Sequence, residues 1–474
     1  MNAAAIPLCV DLDGTLTPVD TLQELLLDMA RREPRALLQM PLWLARGKAW
    51  FKAQAAKHGR IDAQVLPYRE DLLEWLRKQK AAGRRLVLAT GANEAVAHRV
   101  AQHLALFDEI HASDEHTNLA GATKRAVLVK RFGERGFDYV GNARTDLRVW
   151  AGAREAVVVG ASGGLQRQAA RLAAPGPSFP APRAGLRAWL RALRPHQWVK
   201  NLLVFVPLVM AHLLGDRQRL IHTIIGFGAF CLCASSVYLL NDLLDLVADR
   251  RHPRKRLRPF AAGALPATQG LLLAMVLLAA AVAVEATIGR RVLAVLLSYY
   301  FITLGYSLAF KRVMVLDVML LAVLYTLRII AGAAAANVVL SFWLLGFSCF
   351  IFLSLGIVKR CTELSMAVKA AGDTLHGRGY QPGDLPILAT FGVAAGYAAV
   401  VILALYINSP QSQLLYSQPI YLWLLCPLLL FWVSRVWFLT HRGQMHDDPV
   451  VFALRDRTSF IIALLALVIV IAAA

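Results

Sequence analysis

From Trp198 onward the chain is built of apolar segments long enough to cross a bilayer, and no other feature restricts its folding so strongly. A hydrocarbon core about 30 Å thick needs roughly 20 apolar residues in one helix, and within lipid each backbone N–H and C=O must find its partner inside that segment. Stretches that meet this demand fall at 198–216, 220–240, 270–289, 291–309, 314–336, 340–358, 386–407, 419–440 and 458–474. They predict an all-α polytopic bundle of about nine transmembrane helices. The composition agrees, being 57% hydrophobic and 17% charged with a mean hydropathy of +0.50, which a soluble domain of ordinary make-up does not reach. The first 195 residues differ, alternating short apolar runs with charged helical stretches, and predict a separate α/β unit. The expected division is a soluble domain over 1–172, a Pro/Gly linker over 173–190 and a membrane domain over 191–474.

A net charge of +20 in a soluble protein would point to nucleic acid, but here lysine and arginine crowd the ends of apolar segments. That distribution records topology. With the N-terminus inside, one face collects Arg250, Arg251, Arg254, Lys255, Arg256, Arg258, Lys311, Arg312, Lys359, Arg360, Lys369, Arg378, Arg442, Arg455 and Arg457, and the other only Arg217, Arg219, Arg290 and Arg291. The expectation is a multi-pass protein of the inner (plasma) membrane with its N-terminal domain cytoplasmic, no nucleic-acid partner, and nothing that excludes a homo-oligomer. No signal peptide precedes the strand-like "IPLCVDLDGTLT", and six cysteines without framework spacing are expected buried and reduced.

Directly after the apolar run ending at Leu240 comes "NDLLDLVADRRHPRKRLRP". Asp242, Asp245 and Asp249 stand at i, i+3 and i+7, on one helical face, with Asn241 beside them. Carboxylates so close at a bilayer boundary repel one another unless a cation joins them. Magnesium bridges protein carboxylates to substrate phosphates in this way, while the basic run that follows, with Lys255, Arg256 and Arg258, suits phosphate oxygens. Further polar groups mark the same face: "RPHQWVKN" with Lys200 and Asn201, "YSLAFK" with Tyr306 and Lys311, and "VKRCTEL" with Lys359 and Arg360. Arg328 falls inside a span and needs a partner within the bundle. All of these are candidate substrate-binding residues.

These residues resemble the UbiA superfamily of intramembrane prenyltransferases, whose N-D-x-x-D-x-x-x-D signature is matched by "NDLLDLVADR". Within it the stretches "RPHQWVKN", "DRRHPRKRLRPFAAG", "YSLAFK", "LRIIAGAAA" and "KRCTEL" are similar to the decaprenyl-phosphate phosphoribosyltransferase branch. The aromatic branch carries a second aspartate-rich motif, in place of which this chain has Lys359, Arg360 and Glu363. The resemblance implies transfer of phosphoribose from phosphoribosyl pyrophosphate to a polyprenyl phosphate, with Mg2+ held by Asp242, Asp245 and Asp249.

In the N-terminal part, Asp11 and Asp13 follow an apolar strand in a D-x-D-G-T pattern, and "LVLATGAN" with Thr90, "GATKRAVL" with Lys124 and "YVGNARTDL" with Asn142 and Asp146 come later in order. The set resembles the Rossmann-like haloacid dehalogenase (HAD) phosphohydrolases. It implies Asp11 as nucleophile, Asp13 as general acid and base, Thr90 and Lys124 on the transferring phosphate, and Asp11, Asp13, Asn142 and Asp146 around Mg2+, under a small helical cap from about 20 to 78. Asn142 stands where the family often has aspartate and brings no charge. Two other readings stay open: an aromatic prenyltransferase using a polyprenyl diphosphate, and a transporter or lipid-binding membrane protein with a regulatory soluble domain. The aspartates lie at one face and not at midplane, which counts against transport.

Overall fold

The computed structural model describes residues 6–160, 162–180, 185–369, 379–445 and 448–474. The chain divides into two compact units, one made of Met1–Leu193 with Tyr238–Leu273 and the other of Arg194–Val237 with Ala274–Ala474. The segment bearing the three aspartates therefore belongs with the N-terminal unit, which sequence alone did not suggest.

The first unit is organised by a parallel sheet of six strands in the order β3-β2-β1-β4-β5-β6. They are β1 (Leu8–Val10), β2 (Leu86–Asn93), β3 (Glu109–Ser113), β4 (Asp138–Gly141), β5 (Glu155–Val159) and β6 (Ala174–Phe179). Successive side chains of a strand face opposite sides, and here each side meets its own helices. Leu8, Val10, Leu86, Leu88, Val140 and Val157 fill one core, while Cys9, Val87, Ala89, Tyr139, Ala156 and Val158 fill the other. Register follows from this alternation, with Cys9 opposite Val87 on one flank and Tyr139 on the other. Strand order reverses between β1 and β4, so the crevice at their carboxyl ends is where an open α/β sheet binds ligands. Helix α1 (Thr21–Arg32) starts close to that crevice, capped by the Asp20 side chain, and begins the expected helical cap. One expectation needs correction: "AAPGPSF" is not free linker, because Ala174–Phe179 pairs with β5 as an edge strand, where prolines do no harm. Residues 181–184 of the expected linker lie outside the described residues.

Among the described residues seven helices are long and apolar enough to cross a membrane: Arg217–Leu244, Ala267–Ile288, Arg290–Leu308, Leu316–Ala335, Phe342–Met366, Pro382–Ile407 and Pro419–His441. The difference from about nine has two sources. The segment 198–216 is not one helix, since Pro195–Phe205 winds as 3-10 turns and only Val206–Met210 continues as α-helix. Prolines at 195 and 207 remove backbone donors that a regular helix would use. Arg457–Ala473, with 17 residues, is the shorter apolar helix. Within the second unit, Leu316–Ala335 lies hard against the 3-10 segment: a Cβ at Gly332 would sit 1.9 Å from the Val204 carbonyl oxygen. Small residues in "AGAAA" permit this approach. The cysteines are unpaired, although Cys349 is exposed and Cys426 half-buried, contrary to the expectation that all six are buried.

Candidate active sites

Asp11 leaves the end of β1 at the reversal point, and three partners are drawn in around it. Lys124 donates from Nζ to Asp11 Oδ1 at 2.9 Å and to the Tyr139 hydroxyl oxygen at 2.8 Å. The Tyr139 hydroxyl in turn donates to Asp146 Oδ1 at 3.0 Å, and the Asn142 and Ala143 backbone N–H groups donate to Asp146 Oδ2. Burial pushes the Asp11 carboxyl above its ordinary range, while Lys124 pulls it down and Asp146 adds to the rise. Asp13 accepts from the Thr21 N–H at 2.9 Å, and burial, followed by the Asp20 charge, raises it to about 7. A carboxyl so placed is suited to give and take protons near neutrality. Gly14 adopts φ +73°, and any Cβ there would meet Asn142 Nδ2 at 2.1 Å, so only glycine lets the two loops close. Asn142 Oδ1 accepts from Thr15 Oγ1 at 3.2 Å, and Thr90 is fully buried with its hydroxyl accepting from the Ala92 N–H.

The structure thus gathers Asp11, Lys124, Asp146 and Asn142 and sets Asp13 and Thr90 on adjoining loops. Two residues that sequence reading passed over also belong here. Tyr139 opens the motif "YVGNARTDL" and Lys52 lies within the expected cap, and nothing in their spacing sets either apart. Lys52 Nζ reaches the Gly91 carbonyl oxygen at 2.5 Å and Asn118 Oδ1 at 2.8 Å, and burial lowers its pKa against the pull of Asp13 and Asp20. A cavity of about 60 Å³ is lined by Asp13, Thr21, Lys52 and Asn93 among others.

The second aspartate group also lies in the first unit. Helix Arg217–Leu244 stops one residue short of Asp245, which has φ −102° and ψ 14°, and a short helix Leu246–Arg251 follows. The stripe is therefore not one unbroken helix. Asp242 and Asp249 still converge, because Arg258 Nη1 lies 3.2 Å from Asp242 Oδ1 and 2.6 Å from Asp249 Oδ2. Both carboxylates are buried, at 2% and 3% exposure, and burial raises Asp249 above the usual carboxylate range against the pull of Arg258. Asn241 Oδ1 is buried without a hydrogen-bond partner among the described residues, a polar atom that a bound group would satisfy. Lys255 and Arg256 are exposed.

Among the described residues no three His, Cys, Asp or Glu side chains form a ready metal cage. Magnesium does not require one, since it retains waters and takes one or two carboxylates together with substrate phosphate oxygens. Asp242 with Asp249, which share Arg258, and Asp11 with Asp146, which are linked through Lys124 and Tyr139, are all-oxygen pairs, so their chemistry fits.

In the second unit the remaining predicted residues, Lys311 apart, fall into three groups. Lys200 Nζ lies 2.5 Å and Lys359 Nζ 3.4 Å from Asp448 Oδ2, an acid outside every motif quoted from the sequence. Burial would push Asp448 up, but Lys359 and Lys200 outweigh it and hold the carboxyl well below its ordinary range. Arg328 donates to Asn201 Oδ1 at 2.8 Å and the Tyr299 hydroxyl oxygen at 2.9 Å, and packs over the Tyr299 and Tyr325 rings. Arg360 is almost wholly buried, bonded to Asp317 at 2.5 Å, to Glu363 and to the Tyr306 hydroxyl at 2.7 Å. It orders its neighbours within the protein. Lys311 lies half-buried in the turn Phe310–Arg312.

Residues 202–465 match the UbiA prenyltransferase family, and residues 8–149 match the haloacid dehalogenase-like hydrolases. The chain is 39% identical over 476 residues to uncharacterized protein y4nM of Sinorhizobium fredii, covering 98% of this chain and 91% of that protein. Over 179 residues it is 39% identical to a decaprenyl-phosphate phosphoribosyltransferase of Corynebacterium glutamicum, covering 37% of this chain and 54% of that protein. Among solved structures, a UbiA homolog from Archaeoglobus fulgidus bound to GPP and Mg2+ aligns with a TM-score of 0.48 at 17% identity, over 60% of this chain and 99% of that one.

Proposed function

The chain belongs to the UbiA prenyltransferase family and carries an N-terminal HAD-like domain, and from that premise we propose that it transfers phosphoribose from phosphoribosyl pyrophosphate to a polyprenyl phosphate and then removes the 5-phosphate. The observation that carries the first step is the convergence of buried Asp242 and Asp249 on one guanidinium. One guanidinium balances only one of two carboxylate charges, and a diphosphate substrate that arrives with a cation would balance the other. The likeness to decaprenyl-phosphate phosphoribosyltransferases supports phosphoribose as the group moved. The protein is proposed to work in the inner membrane with its HAD-like domain in the cytoplasm.

Asp242, Asp249 and Asp245 would hold Mg2+, which when bound neutralises the diphosphate and makes it a better leaving group. Arg258, released from the carboxylates, holds diphosphate oxygens and keeps them out of reach of water. The bond from ribose C1 to the diphosphate oxygen breaks as a phosphate oxygen of the lipid forms its bond to C1. No protein nucleophile is needed, so positioning and electrostatics supply the rate. Lys200, Lys359 and Lys311 are proposed to take phosphate charge, and Asn201, Tyr306, Arg328 and Arg360 to order the residues around them.

In the HAD-like domain, Asp11 attacks the phosphorus of the 5-phosphate while Asp13 gives a proton to the departing ribose oxygen. Asp13 then takes a proton from the water that cleaves the aspartyl phosphate. Lys124 balances the charge at Asp11, and Asp11, Asp146 and Asn142 would hold Mg2+ there.

The experiment compares membranes holding wild type or Asp11→Asn, supplied with ribose-labelled phosphoribosyl pyrophosphate. Wild type should yield a lipid without the 5-phosphate, and Asp11→Asn should accumulate the phosphorylated lipid at an undiminished rate of labelling. If both stop at the phosphorylated lipid, the second step is wrong.

A further inference from the structure

The basic run after the aspartates is anchored on the HAD-like fold. Arg250 Nη1 and Nη2 donate to Glu24 Oε2 and Oε1 at 2.9 and 2.7 Å, a bidentate pair with side-chain exposures of only 5% and 8%. The Arg250 Nε–H donates to the Ala261 carbonyl oxygen at 2.9 Å, so this one guanidinium ties both ends of the loop to α1. Gly263, at φ +68°, lies so close that a Cβ would sit 2.6 Å from Pro18 Cγ. Arg251 pairs with Asp62 at 2.6 Å, and Arg31 of α1 lies 3.9 Å from Asp245. Helix α1 is fixed at its other end, where the Thr21 N–H donates to Asp13.

We propose that the HAD-like domain has a second role besides hydrolysis: through Glu24 it clamps Arg250, and so positions the adjoining Asp249 and, along the same loop, Arg258 for the diphosphate. Glu24 and Arg250 are positioning residues, since neither touches the proposed reacting atoms. The geometry favours this over chance surface pairing. An exposed ion pair contributes little, whereas a bidentate pair shielded from water holds its geometry and is costly to break. The loop between Asp249 and Arg258 includes exposed residues from Arg251 to Leu257, so the clamp is a main restraint upon it. The inference rests on the transferase reading above, because it assigns the clamp to that reaction.

The test uses the full chain in membranes, with Glu24→Gln, Arg250→Gln and the double variant. Each single variant should raise the KM for phosphoribosyl pyrophosphate about tenfold or more. The KM for polyprenyl phosphate, and hydrolysis of p-nitrophenyl phosphate by the HAD-like site, should stay within twofold of wild type. The double variant should be no worse than the poorer single one, because both remove the same pair. A second measurement, hydrogen exchange in peptides spanning 246–263, should show faster exchange in Glu24→Gln, and it reads the clamp whatever the donor substrate is. An unchanged KM for phosphoribosyl pyrophosphate, or equal loss in all three activities, would overturn the positioning role. Unchanged exchange would overturn the clamp itself. Wild type that transfers no ribose label sinks the transferase reading, with exchange still deciding whether the clamp exists.

Discussion

At the scale of single residues, the buried acids decide more than the numerous surface charges. Asp242 and Asp249 were legible because aspartate beside an apolar segment is rare and their spacing repeats a helical turn, even though the helix breaks at Asp245. Asp448 was not legible, since the acids of "HDDPV" follow no helical or strand spacing and the meaning of Asp448 comes only from the lysines folded against it. Its depressed pKa gives a signed prediction. A carboxyl held below its unfolded value contributes stability that is present above about pH 4 and lost as pH falls further. Asp448→Asn should therefore lower the melting temperature at pH 7, where Lys200 and Lys359 lose their shared acid, by an amount set by a cost of about 3–5 kcal/mol for breaking a buried pair. The gap from wild type should stay constant down to about pH 4 and shrink below it, as thermal unfolding in detergent across that range would show. A gap independent of pH would mean that the amide harms packing and not charge.

At the scale of elements, the sheet was read well and the first membrane segment was not. "LCV" and "LVLA" are short continuous apolar runs, the mark of strands buried on both faces, and their alternate residues go to two separate cores. Hydropathy over 198–216 averages across Lys200, Asn201 and Pro207 and suggests one span, while backbone hydrogen bonding does not average. Likewise "APGPSF" looks like linker by composition, yet a sheet edge accepts prolines that face away from the ladder. The contact of Leu316–Ala335 with the 3-10 segment gives an element-level prediction. Gly332→Ala places a methyl group on the Val204 carbonyl, and overpacking of this kind costs about 1–3 kcal/mol. The variant should melt several degrees lower and transfer more slowly, because Asn201 and Arg328 are bonded across the same contact. Wild-type stability would show that the two segments are free to separate.

At the scale of the whole molecule, one chain carries an intramembrane transferase fold and a phosphohydrolase-like fold, and the two proposed reactions share an intermediate. On that proposal, a product that keeps its 5-phosphate would meet the fused phosphatase at a raised effective concentration. The central claim is that ribose moves to lipid while diphosphate leaves. The most direct measurement supplies purified protein, in vesicles holding polyprenyl phosphate, with phosphoribosyl pyrophosphate labelled separately in its ribose carbon and in its diphosphate phosphorus. The ribose label should enter the organic phase and the diphosphate label should remain in water as pyrophosphate. Chelation of divalent cations, or Asp242→Ala, should lower both by about a hundredfold or more, as expected when a metal ligand is lost. Ribose label that stays in water, in a preparation that joins a polyprenyl diphosphate to an aromatic acceptor, would contradict the account.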